Sequence, residues 1–175
     1  MVQRANDKEL QWMYLDQELE VAVNAIESGF AILQGGNIYR RNEFAFLLLL
    51  TTGLERVMKV ILHLNSQHTR GTFLSGDEVR RLSHDLVALR DEVILRSYTV
   101  EYLRRPVAVE DQEFMRDDFL FGRLLAVLSD FARRDRYIYL DSIANPNLPD
   151  AEDRWPSRRW NGLELFIALP TRPLC

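Results

Sequence analysis

The chain has 175 residues, 47% of them hydrophobic and 27% charged, with a formal net charge of −4. That length suits one domain with a substantial core, and the negative balance excludes the global basic field of a general nucleic-acid binder while leaving room for local basic patches. A single cysteine, Cys175, excludes an internal disulfide and fits a reducing compartment.

The N-terminal MVQRANDKELQW lacks the apolar core of a signal peptide. A first helix is expected over Asp7–Gln34, where Trp12, Leu15, Leu19, Ala22, Val23, Ile26, Phe30 and Leu33 recur at steps of three and four. Gly35-Gly36-Asn37 stops it, because glycine readily takes the left-handed conformation after a helix end. The second helix is expected over Tyr39–Leu64. Its apolar run Phe44–Leu50 is far shorter than the ~20 residues that span a bilayer, so it reads as a buried segment, and no membrane partner is expected. The default location is the cytoplasm.

Asn65–Gly76 reads as a polar loop with two glycines. A third helix begins near Asp77, capped by Ser75 or Asp77, and carries Val79, Leu82, Leu86, Leu89, Val93 and Ile94. Ser97–Val109 is a connector interrupted by Pro106, and a fourth helix covers Glu110–Arg133. Arg136–Leu140 is open to a short helix or an extended segment, and Asn145–Pro149 is turn-rich. The expectation is all-α: an up-and-down four-helix bundle over residues 1–141, with a tail, 142–175, packed on the bundle or on a dimer partner.

Two segments carry a resemblance: GLERVMKVILHLN at Gly53–Asn65 and SHDLVALRDEV at Ser83–Val93. Together they look like the HEPN superfamily, small helical bundles of prokaryotic defence and toxin–antitoxin systems that also occur beside nucleotidyltransferases. The resemblance implies a helical bundle that dimerises, with RNA handled at the dimer interface. Active HEPN ribonucleases carry an arginine, four to six intervening residues and a histidine. Here Arg80 precedes His84 with only three residues between them, so the strict motif is absent.

A variant site would use Arg80 and His84, at i and i+4 on one helix face. His84 would take a proton from a ribose hydroxyl, Arg80 would stabilise phosphorane-like charge, and Asp85 or Glu55 would orient the imidazole. The competing reading leaves Arg80 solvated and His84 satisfied by a neighbouring carboxylate or backbone group. Glu55 and Lys59 at i and i+4 read either as a helical ion pair or, for Glu55, as a group reaching across to Arg80 or His84.

Arg133, Arg134, Arg136 and Tyr137, with Lys59, are candidate RNA or partner contacts; the arginines equally complement a helix C-terminus. Trp155, Arg158, Arg159 and Trp160 read as anchors of the tail or of a dimer, or as a mixture of aromatic and basic groups that binds RNA or a partner. His63 and His68 lack the carboxylate–histidine repeat of a di-metal site. No phosphate loop, nucleophile elbow, zinc-finger spacing or dinucleotide fingerprint occurs, so no metal and no cofactor is expected. The function expected is a non-catalytic helical interaction module acting through a homodimer, a protein partner or RNA; the alternative is a metal-independent endoribonuclease with a shortened Arg–His motif.

Overall fold

The computed structural model describes residues 2–34, 40–82, 84–137, 141 and 143–145. Six helices follow in order: α1 Val2–Gln34, α2 Arg40–Arg70, α3 Gly76–Arg81, α4 Leu86–Ser97, α5 Pro106–Asp117 and α6 Phe119–Asp130. A 3-10 turn at Tyr102–Arg104 precedes α5, and a π-helical turn at Phe131–Asp135 follows α6. There is no strand among the described residues, and none of their helices is long and apolar enough to cross a membrane. The expected tail, including Trp155 through Trp160, lies outside the described residues apart from 143–145, as do Gly35–Asn37.

The first two helices form an antiparallel hairpin, fixed by two glycines. A side chain on Gly53 would meet Ile26 Cγ1 at 2.6 Å and the Ala22 carbonyl oxygen at 2.8 Å; one on Gly29 would meet Leu50 Cδ2 at 2.9 Å. The backbones approach closely because no Cβ stands between them. The second helix runs beyond the expected end at Leu64. Its polar last turns satisfy one another: Thr69 Oγ1 donates to the Asn65 carbonyl at 2.8 Å, and Arg70 reaches Ser66 Oγ at 2.6 Å. Gly71, at φ 72°, then ends it.

The third expected helix is two. Ser75 caps α3 in a reciprocal capping box with Glu78, and Leu82 turns out of the helix at its other end. Asp85 then starts α4: its Oδ1 accepts from the Val87 and Ala88 amides at 3.0 and 3.2 Å. The fourth expected helix is likewise two, split at Asp118, which caps α6 through the Phe121 amide at 2.7 Å. Pro106 does not interrupt a connector but opens α5 as its first residue, where its missing N–H costs nothing.

The core lies where α2, α4 and α6 meet: Leu47, Leu50 and Leu62, then Leu86, Leu89 and Val93, then Leu125 and Leu128, closed by Phe131. Burying each such side chain contributes about 1.5–3 kcal/mol. Phe131 stacks edge-on against Phe44 of α2 at 5.4 Å, so the π-helical turn sits beside the N-terminal end of α2.

Candidate functional site

Glu55 sits in the second half of α2, buried, and its Oε1 collects two donors. Lys59 Nζ donates from one turn further along at 2.6 Å, and His84 Nδ1 lies 3.0 Å away across the bundle. Burial works to raise the Glu55 carboxyl, but the hydrogen bonds and charges of Lys59 and His84 outweigh it and hold the group below its ordinary value. An ionised carboxylate only accepts, so His84 Nδ1 carries the hydrogen. In the neutral ring the lone pair is then at Nε2, and the His84 side chain is 64% exposed.

Arg80 does not share a face with His84. The α3 helix ends at Arg81, and His84 stands in the link before α4. Arg80 instead pairs with Asp77 at 2.6 Å, both side chains largely in solvent. The i,i+4 relation fails because Asp85 competes for the start of a new helix and breaks the old one. Asp85 does not orient His84 through the bonds it makes at α4: besides the cap, its Oδ1 accepts from Ser129 Oγ at 3.2 Å and its Oδ2 from Arg133 Nη1 at 3.0 Å. Of the four expected catalytic residues, Glu55 and His84 come together; Arg80 and Asp85 are engaged elsewhere.

The basic cluster is also committed to structure. Arg133 joins α4 to the end of α6 by bridging Asp85 and Asp130, each at 3.0 Å. Arg134 lies 3.9 Å from Asp130, and Arg136 stacks over the exposed Tyr137 ring at 5.9 Å. Lys59 is held by Glu55.

Two features escape sequence reasoning. Ser129, buried in the last turn of α6, donates to Asp85 and accepts from the Leu86 amide at 2.9 Å; its one signal is a hydroxyl at the end of the apolar run Leu124–Leu128. The other is a cleft of about 470 Å³ between α1, α2 and α3, bounded by Tyr14, Glu18, Glu55, Arg56, His63 and Phe73. Its volume is in the range of small-molecule pockets. Arg56 is paired with Glu18 across it, and Trp12 packs edge-on against Phe73 at 5.1 Å. Burial lowers the pKa of His63 against a smaller opposing pull from Glu78, and His63 Nδ1 is buried without a hydrogen-bond partner among the described residues. Among the described residues no three His, Cys, Asp or Glu side chains converge as metal ligands.

The last candidate is a surface. Trp12, Leu19, Val23 and Phe30 of α1 are 45%, 39%, 42% and 42% exposed. They recur at steps of seven, four and seven, which places them along one edge of the helix. Comparison with protein-family models, with curated proteins and with solved structures finds no match to this chain.

Proposed function

We propose that the protein is a HEPN-like, non-catalytic helical interaction module that docks a protein partner on the outer edge of α1. The observation that supports this reading is the Trp12–Leu19–Val23–Phe30 stripe, on a helix whose principal packing neighbour among the described elements is α2. A row of exposed large apolar side chains along one helix edge is the kind of surface that marks interaction sites. Of the residues that would carry RNA chemistry or RNA contact, Arg80, Asp85, Arg133 and Lys59 are each held by a carboxylate or spent on a cap. A homodimer, implied by the family resemblance, is the simplest alternative occupant.

A photo-crosslinking amino acid placed at Val23, with Glu110 on α5 as control, tests the proposal in cells. One discrete adduct at Val23 and none at Glu110 is the expected outcome. Its mass tells a second copy from another protein. Equal, diffuse labelling at both positions would reject α1 as the docking edge.

One observation favours the second reading, a metal-independent endoribonuclease. A carboxylate-oriented imidazole with an exposed ring is the arrangement a general base requires. In that reading His84 takes the proton, Glu55 orients it, and RNA cleavage by the purified protein disappears on His84→Ala.

A further inference from the structure

Charge narrows what the edge of α1 accepts. Glu9, Asp16, Glu20 and Glu27 are all exposed, and each lies three or four residues from a member of the stripe, so the acids form a row beside it. Lys8 is the sole base between residues 8 and 34. An occupant matched to this surface is apolar and aromatic along one side and basic along the other. A nucleic-acid backbone is disfavoured by the same row of acids, and a second copy of the same acidic edge gains nothing from it.

The chain itself contains a segment with that chemistry. Residues 154–160, RWPSRRW, hold three arginines, two tryptophans and no acid, and Leu163, Leu165, Phe166, Ile167 and Leu169 follow. Its starting point is favourable. The π-helical turn packs on Phe44 near the N-terminal end of α2. In the antiparallel hairpin, where Gly29 faces Leu50 and Gly53 faces Ala22 and Ile26, that end is level with the last turns of α1. The 19 residues 136–154 link the π-helical turn to Trp155 and span up to about 60 Å. The stripe from Trp12 to Phe30 is ~27 Å long.

We infer that the Trp155–Leu169 segment of the same molecule occupies the outer edge of α1, its tryptophans and leucines on the Trp12–Phe30 stripe and its arginines against Asp16, Glu20 and Glu27. This rests on the reading of α1 as a docking edge and sharpens it. The segment is a built-in competitor, and a partner must offer the same basic, aromatic chemistry to displace it.

The test uses the full chain carrying Trp12→Phe, so that Trp155 and Trp160 are the only emitting tryptophans. Acrylamide quenching is measured, with light scattering for mass and circular dichroism for fold. The expected result is shielded tryptophans in a monomer. Quenching rises several-fold when Leu19→Glu and Val23→Glu are added, with helicity unchanged. A charge swap gives a second measurement that does not touch the apolar stripe. Asp16→Arg with Glu20→Arg, or Arg158→Glu with Arg159→Glu, each exposes the tryptophans, and the combined variant restores shielding.

Tryptophans already as quenchable as free indole, or shielding indifferent to the α1 variants, would overturn the inference. Shielding found only at twice the monomer mass would overturn it too, placing the segment on a neighbour. The Val23 crosslink separates the two ideas. A partner adduct at Val23 together with free tryptophans keeps the docking edge and removes its resident segment.

Discussion

The first two helices are nearly equal in length, 33 and 31 residues, yet they end in opposite environments. The second meets α1 on one side and α4, α6 and the π-helical turn on the others, and buries Phe46, Leu47, Leu50, Met58 and Leu62. Along residues 8–34 of α1, only Ala22 and Gly29 are fully buried. The contrast teaches that apolar spacing along a helix reports a surface that wants cover, not one that the domain covers.

The largest effect that could break this comparison is a core truncation set against a stripe truncation. Leu47→Ala is expected to cost about 2–5 kcal/mol, since it removes a side chain with no solvent exposure. Leu19→Ala should cost distinctly less, about 1 kcal/mol, because only the C-terminal segment covers the stripe. Urea unfolding of the two variants checks both, and a Leu19→Ala loss as large as that of Leu47→Ala would mean that the stripe is core and not a docking edge. The expected occupant of the stripe is the C-terminal segment, so in the Arg158→Glu, Arg159→Glu background the Leu19→Ala loss should fall to within about 0.5 kcal/mol.

Next comes the seam between the helices. Gly53→Ala puts a methyl group within 2.8 Å of the Ala22 carbonyl oxygen and closer still to Ile26. Backbone cannot give way as a side-chain tip can, and a loss of about 1–3 kcal/mol is expected in the same unfolding assay. A neutral result would show that α1 slides freely on α2.

A smaller effect tests the link that breaks the expected third helix. Asp85→Ala removes the α4 cap and strands the Arg133 contact, at about 1 kcal/mol for the cap. It leaves the Glu55–His84 distance to be read by His84 chemical shifts. Unchanged shifts agree with an Asp85 that does not orient the imidazole.

The smallest effects are in pH, where two windows separate. His63 binds its proton less readily folded than unfolded, so the unfolded chain takes it up first as pH falls below 6.5. Stability therefore declines there, and His63→Gln should remove that slope. Glu55 is depressed, so its contribution is full above its ordinary value of 4.5 and is lost as pH falls through the lower folded value. Thermal melts across pH 3–8 would find a single carboxylate step if His63 were solvated.

Much of the scaffold is legible in the residues. Periodicity locates α1 and most of α2, and the Ser75–Glu78 box marks α3. The break before α4 is also written locally, as Asp85 ahead of an apolar run, but continuous apolar spacing from Val79 to Ile94 masks it. What pins the break, Ser129 and Arg133, lies more than forty residues away, beyond any local pattern. The Glu55–His84 contact spans 29 positions and is foreseeable only as one option for Glu55. The stripe on α1 is hidden for a different reason. Trp12, Leu19, Val23 and Phe30 interleave with Leu15, Ala22, Ile26 and Leu33 in one apolar series, and only the packing of α2 decides which members stay outside.

The central claim is that the edge of α1, not the Glu55–His84 pair, carries the protein's role. The most direct measurement is cleavage of a mixed RNA pool, in the presence of chelator, by the purified protein and its His84→Ala variant, with both shown to be folded. The account predicts intact RNA with either protein. Chelator-resistant cleavage by the native protein that is lost in His84→Ala would contradict it.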